Sequence, residues 1–265
     1  MKLSKYRNLI IDMDGVLWRG ETALPGLQEF VNALRNTQRH MVLATNNSSS
    51  TVDQYVNKLK RMGVDVHPEE ILTSAQATGN HLYKIAPKQS RVFVIGGDGI
   101  TNAMRDYEFT LTENNPDYVV VGIDKKLSWE KLNTAVMNIR AGSKFIGTNP
   151  DTTYPTENGI GVGNGAILAA IKVATGVSPL VIGKPETPIY EQALQRLNCN
   201  VSDALMIGDR LDTDILGAQR ADIATLLLLT GVTSIEMLKT SVIQPDLILP
   251  GLPDATSAML ADHIS

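Results

Sequence analysis

Leu9-Ile10-Ile11-Asp12-Met13-Asp14-Gly15-Val16-Leu17 is an apolar run that delivers two carboxylates and a glycine. Leu9 to Ile11 reads as a buried strand with Asp12 at its carboxyl end. Ligand sites of open α/β sheets form at that edge. On an extended chain, residues two apart face the same way, so Asp12 and Asp14 point together while Met13 points into the fold. Paired acids repel and resist burial unless positive charge joins them. Two readings follow: a turn with both acids solvated and Gly15 supplying the bend, or a metal site. The rest of the chain has to decide.

The chain has 265 residues, 43% hydrophobic and 20% charged, and a formal net charge of -4. That size accommodates two domains with real cores. No basic stripe is present, which argues against nucleic acid or acidic lipid as a partner. The single cysteine, Cys199, excludes an internal disulfide framework and fits a reducing compartment. The basic start, Met1 to Arg7, is not followed by a signal-peptide core, because Asp12 stops the apolar run. The longest apolar run, Ala224 to Leu229, is too short to span a bilayer. These features predict a cytoplasmic protein without a membrane partner.

Strand and helix patterns alternate along the chain. Trp18 to Glu21 reads as a turn or short hairpin. Pro25-Gly26 opens a helix with Leu27, Phe30, Val31 and Leu34 on one face. Met41 to Ala44 is a second strand, ending in Thr45-Asn46-Asn47-Ser48, whose hydroxyls and amides suit either an anion or a capped turn. Ser50 and Asp53 predict a capping box for the next helix. Val92 to Ile95 meets Gly96-Gly97-Asp98-Gly99, a strand-to-helix turn or a ligand-facing loop. Tyr118 to Gly122 is a strand and Trp129 to Ile139 a helix. Thr152 to Asn164 is polar and glycine-rich, with few elements able to build a core; Gly161, Gly163 and Gly165 permit tight loops. Gly165 to Ala174 and Pro188 to Leu197 are helical, the latter burying Ile189, Ala193, Leu194 and Leu197. Ala204 to Ile207 ends in Gly208-Asp209-Arg210-Leu211-Asp212-Thr213-Asp214, followed by a helix from Ile215 to Arg220. Ala224 to Leu229 is another strand, Ile248-Leu249 closes the sheet, and Leu252 to Ile264 forms a last helix. This alternation predicts α/β architecture with a mostly parallel sheet.

Four strand ends then carry polar groups: Asp12 and Asp14, Thr45 and Asn46, Lys184, and Asp209 with Asp214. Carboxylates are hard ligands for Mg²⁺, and a dication reconciles acids that otherwise repel. A lysine is a compact positive donor for a phosphate or a carboxylate. An aspartate beside a metal can attack phosphorus, and a second carboxylate can protonate the leaving group and later activate water.

The same residues resemble the haloacid dehalogenase-like phosphohydrolases, nearest the NagD-like and 4-nitrophenylphosphatase-like subgroup. The matching motifs are Asp12-Met13-Asp14-Gly15-Val16, Thr45-Asn46-Asn47, Gly183-Lys184-Pro185 and Gly208 to Asp214, in the family's order. The resemblance implies a Rossmann-like core, residues 1–78 and 180–265, with an inserted α/β cap at 79–179. It implies Asp12 as nucleophile, and Asp14 as general acid/base with its backbone carbonyl on the metal. Thr45 and Asn46 would hold phosphoryl oxygens, and Lys184 would orient Asp12 and neutralise the phosphate. The implied cofactor is Mg²⁺, on the side chains of Asp12 and Asp209 and the Asp14 backbone carbonyl, with Asp214 on it directly or through water. Asn149 and Asp151 resemble a cap segment facing the core, and Arg210 would touch substrate or pair with a carboxylate. Asp212 matches no essential position.

The expected activity is hydrolysis of a small phosphorylated metabolite, such as a sugar phosphate or nucleoside monophosphate, through an aspartyl-phosphate. Phosphoryl transfer or mutase chemistry shares the first half-reaction; a phosphate- or nucleotide-binding module without turnover is the rival of another class. A homodimer through the cap is compatible with the pattern. Gly15, in this reading, makes room for backbone beside a phosphate.

Overall fold

The structure is a computed structural model that describes residues 3–156 and 159–261. The chain divides into two compact units, one drawn from residues 1–45, 55–72 and 184–265, the other from 46–54 and 73–183. Each is an α/β unit with its own largely parallel sheet.

The first unit holds a six-stranded sheet in the order Leu247–Leu249, Ala224–Leu228, Ala204–Gly208, Asn8–Ile11, His40–Thr45, Ile71–Thr73. Asn8–Ile11 pairs in parallel with Ala204–Gly208 on one side and His40–Thr45 on the other. Its apolar residues are buried, as a central strand covered on both faces requires. Because these three strands run the same way in register, Asp12, Thr45 and Asp209 leave the sheet at one carboxyl edge. Trp18–Arg19 and Thr22–Ala23 form the short hairpin. The helix Leu27–Asn36 buries Leu27, Phe30, Val31 and Leu34 as its spacing predicts.

The second unit is built on a five-stranded parallel sheet, ordered Leu180–Val181, Lys144–Gly147, Tyr118–Val121, Arg91–Ile95, Thr110–Leu111. Phe93, Ile95, Val119, Val121 and Phe145 of that sheet pack with Ile139, Leu168 and Ile171 of its helices. Segment 46–54 is stitched into this unit by a hydrogen bond from the Gly99 N–H to the Ser49 carbonyl (3.0 Å). A side chain at Gly99 would run into the Ser48 and Ser50 carbonyls, so Gly96 to Gly99 is a strand-to-helix turn shaped for close backbone approach.

Two local expectations change. The capping box belongs to Thr51 and Gln54, not Ser50 and Asp53: Thr51 Oγ1 accepts from the Gln54 N–H (3.3 Å) and Gln54 Oε1 from the Thr51 N–H (2.9 Å). The helix then runs Val52–Arg61. The glycine-rich stretch after Thr152 is an antiparallel hairpin, Thr153–Thr156 with Gly159–Val162, because Ile160 and Val162 alternate with Gly159 and Gly161. The last helix is Leu252–Ala261; residues 262–264 of the expected span lie outside the described residues.

Candidate active site

Asp12 continues from the central strand, its N–H donating to the Ile207 carbonyl (2.9 Å). Its Oδ1 accepts from Lys184 Nζ at 2.5 Å. The same ammonium donates to Asp214 Oδ1 (2.7 Å) and to the Ala44 carbonyl (3.1 Å). Lys184 is 2% exposed, so all three of its donors are directed into the protein. A lone buried ammonium would be costly; this one is paired twice and fully coordinated. Burial works against the charged lysine, but Asp12 and Asp214 outweigh it and hold its pKa above the ordinary value. The Asp12 carboxyl moves up too: burial raises it most, Lys184 pulls it down, and Asp214 and Asp209 push it up again.

Asp209 and Asp214 reach the site by different routes. Asp209 follows the strand Ala204–Gly208, and its Oδ2 accepts from the Val232 N–H (2.7 Å). Asp214 lies in a single π-helical turn, Leu211–Ile215. There the Arg210 carbonyl accepts from both the Asp214 and Ile215 N–H groups (3.1 Å each). Such wide turns recur at functional positions. The turn aims the Asp214 side chain back at the strand end, where its Oδ2 accepts from the Asp209 and Arg210 N–H groups (3.2 and 3.1 Å). Tyr190 braces it, donating its hydroxyl to the Thr213 and Asp214 carbonyls (3.1 and 3.0 Å).

Asp12, Asp209 and Asp214 each offer a carboxylate oxygen, and these atoms lie within 4.8 Å of one another. All three residues are buried. Asp209 Oδ1 is buried with no hydrogen-bond partner, an acceptor that a cation would satisfy. Burial and the charge of Asp214 raise the Asp209 pKa. Hard oxygens, excess negative charge and an orphaned acceptor together fit a divalent cation.

Asp14 lies on the loop after Asp12. Although part of the residue reaches the surface, packing around its carboxyl raises the pKa; the Trp18 hydrogen bond and the charges of Lys58 and Lys184 act the other way. Trp18 Nε1 donates to Asp14 Oδ1 at 2.7 Å. Thr45 is buried at the end of its strand, next to the Ala44 carbonyl that receives Lys184. Gly15 does make room, but for a carboxylate: a Cβ there would lie 2.5 Å from Asp209 Oδ2.

Asn46, Asn149 and Asp151 come together within the second unit. Asp151 Oδ2 accepts from Asn46 Nδ2 (2.9 Å) and from Asn149 Nδ2 (2.7 Å). Asn47 makes an Asx turn, its Oδ1 accepting from the Ser49 N–H (2.8 Å). Arg210 pairs with Asp212, Nε to Oδ1 at 3.1 Å and a terminal nitrogen to Oδ2 at 2.8 Å. Trp18 and Tyr190 were not expected at the site. The available signals were the Asp14-to-Trp18 interval, with a donor-only ring, and the polar tip of Tyr190 between the apolar positions Ile189 and Ala193.

Comparison with known proteins agrees with this geometry. A family described as haloacid dehalogenase-like hydrolase matches residues 9–110, and a HAD-hydrolase-like family matches 181–255. An acid sugar phosphatase of Staphylococcus haemolyticus is 38% identical over 92% of each chain. The crystal structure of a 4-nitrophenylphosphatase from Thermotoga maritima is similar with a TM-score of 0.93 and 34% identity, covering 97% of this chain and 98% of that one. A glycerol phosphate phosphatase from Mycobacterium tuberculosis, solved in complex with magnesium, has a TM-score of 0.89 and 32% identity over 96% of this chain and 78% of its own.

Proposed function

The chain belongs to the haloacid dehalogenase-like hydrolases, with the NagD-like and 4-nitrophenylphosphatase-like phosphatases, and from that premise we propose that it is a Mg²⁺-dependent phosphomonoester phosphatase working through an aspartyl-phosphate on Asp12. The observation that carries this reading is the convergence of Asp12, Asp209 and Asp214, with Lys184 bonded to Asp12 and Asp214. A binding module has no need of a nucleophile and a separate proton donor.

Asp12 is the attacking carboxylate. Lys184 holds its Oδ1, which leaves Oδ2 for phosphorus and keeps a positive charge beside the transferring group. Asp12, Asp209 and Asp214 would hold the cation with the Asp14 backbone carbonyl, and a bound Mg²⁺ would supply charge neutralisation of the phosphoryl oxygens. Thr45 and Asn46 would receive phosphoryl oxygens. Asp14 gives its proton to the leaving alcohol, then takes one from the water that attacks the aspartyl-phosphate. Its raised pKa favours the protonated form the first step needs.

The substrate class is a small phosphorylated metabolite. This is supported by the acidic net charge, which disfavours polyanions, and by the relatives' names. Among the described residues no helix is long and apolar enough to cross a membrane. A cytoplasmic setting is supported by the single cysteine. The first unit is read as the catalytic core, with 79–179 as its cap. Exposed Ile160 and Val162 on the cap hairpin favour pairing of two copies there.

The test is a screen of phosphorylated metabolites with and without Mg²⁺, with Asp12→Asn as control. Expected is Mg²⁺-dependent release of inorganic phosphate, abolished in D12N. Metal-independent turnover, or full turnover in D12N, would overturn the mechanism; a phosphorylated alcohol in place of free phosphate would make the enzyme a transferase.

A further inference from the structure

The loop from Met13 to Trp18 closes on itself. The Met13 carbonyl accepts from the Leu17 N–H (2.8 Å), and the Gly15 N–H donates to the Trp18 carbonyl (2.8 Å). This closure points the Trp18 indole at the side chain four residues back, where Nε1–H meets Asp14 Oδ1. The ring is fully buried and cannot swing away. Tyr55 stacks on it with centroids 6.2 Å apart and planes 24° from parallel. The Lys58 ammonium sits 4.7 Å from its centroid, fixed there by the Gly20 carbonyl (2.7 Å) and Glu21 (3.2 Å). A buried tryptophan needs some acceptor for its N–H. Here the side chains of Tyr55 and Lys58 hold the ring so that the acceptor is the carboxyl to which the phosphatase reading assigns proton transfer.

An indole N–H only donates. While it occupies Asp14 Oδ1, that oxygen serves as the acceptor of the carboxyl group. We infer that Trp18 is a positioning residue for the general acid: it fixes the Asp14 carboxyl through Oδ1 and reserves Oδ2 for the proton delivered to the leaving group. The inference rests on the role of Asp14 given above. In the first step a bond forms between Asp12 and phosphorus, and the bond from phosphorus to the leaving oxygen breaks. The departing electron pair takes the proton from Oδ2, and Asp14 becomes a carboxylate still held at Oδ1. In the second step water attacks phosphorus, the bond to Asp12 breaks, and Oδ2 takes the water proton.

Trp18→Phe removes the donor and keeps most of the ring. A misoriented acid matters most where the leaving group is basic, so the test compares kcat/KM for phenyl phosphate and 4-nitrophenyl phosphate, two substrates of one frame. Phenolate needs a proton far more than 4-nitrophenolate does. Expected in W18F is a loss concentrated on phenyl phosphate, raising the ratio of 4-nitrophenyl to phenyl turnover about tenfold. Trp129→Phe removes the other, 72% exposed indole and leaves Trp18 and its acceptor in place, and keeps the wild-type ratio. An unchanged ratio in W18F, or an equal shift in W129F, overturns the inference. The contact itself is read without turnover or metal. The chain has two tryptophans, and Trp129 is 72% exposed. The buried indole N–H proton resonance should therefore stand apart, downfield, and move upfield in Asp14→Ala. A resonance that D14A does not move also overturns the inference, and this measurement decides the matter if W18F fails to fold. If wild type releases phosphate from neither substrate while the resonance shifts as expected, it is the phosphatase reading that fails.

Discussion

Gly15 shows how one missing side chain serves the buried acids. Its φ is +89°, a conformation that favours glycine, and the space beside it is filled by the Asp209 carboxylate. Gly231 packs against the same carboxylate from another loop. Gly15→Ala should therefore cost about 1–3 kcal/mol in backbone strain and also displace the Asp209 carboxylate. Thermal unfolding should register the first effect, and a weaker Mg²⁺ titration the second. Asp209 and Asp12 make a pH prediction as well. Both carboxyls are raised, chiefly by burial, so each binds its proton more tightly in the folded state. Their contribution to stability is therefore greatest at low pH and is lost as pH rises above about 4, through their raised folded values. On the proposed reading a bound cation would take over from the proton. Metal-free protein should thus show this site's loss as a Tm that falls with pH between about 5 and 8, and Mg²⁺ at about 100 times its Kd should restore about 2.7 kcal/mol. A Tm indifferent to Mg²⁺ would count against the cation site. The acids themselves were legible, since each ends an apolar run. What Gly15 accommodates was not, because Asp209 comes from the other end of the chain.

Among the elements, the π turn Leu211–Ile215 is the one on which the site's geometry depends. Its residues read as a loop leading into a helix, since the sequence of a π turn carries no period of its own to distinguish it. Tyr190 holds the turn by two hydrogen bonds to its carbonyls. Tyr190→Phe should cost about 1–2 kcal/mol in denaturant unfolding, and lower kcat/KM because Asp214 and hence Lys184 lose a fixed position. A stability loss with catalysis intact would confine Tyr190 to packing. At the helix Val52–Arg61, Thr51→Ala should cost about 1 kcal/mol while Ser50→Ala costs much less, a difference that thermal unfolding resolves. The cap stands one residue later than the sequence pattern predicts because Ser50 and Thr51 are both good caps, and only the reciprocal bond from Gln54 distinguishes them. Thr110–Leu111 is too short to show alternation, and in Thr153–Val162 glycines occupy half of the second strand's pattern. The long apolar strands were plain for the opposite reason: burial on both faces leaves little but Val, Ile and Leu.

At the scale of the molecule, alternation of strand and helix was enough to predict the α/β class, whereas the family was legible only through the resemblance of the four polar motifs to those of the haloacid dehalogenase-like hydrolases. The path of the chain was harder to read. It passes from one unit to the other after residues 45, 54, 72 and 183, so the second unit is made of two segments. Short polar segments such as 46–54 carry no composition that assigns them to a unit. Their assignment rests on contacts such as Gly99 to Ser49, Thr148 to Ser48 (3.1 Å) and Asp151 to Asn46. This interleaving sets the rules for recombination between relatives. A chimera given a foreign 73–183 keeps its own Asn46, Ser48 and Ser49 opposite partners that did not coevolve with them. Carrying 46–54 along with 73–183 should recover the thermal stability that the single-segment exchange loses, so the piece of this protein that can be inherited as a module is discontinuous in its gene.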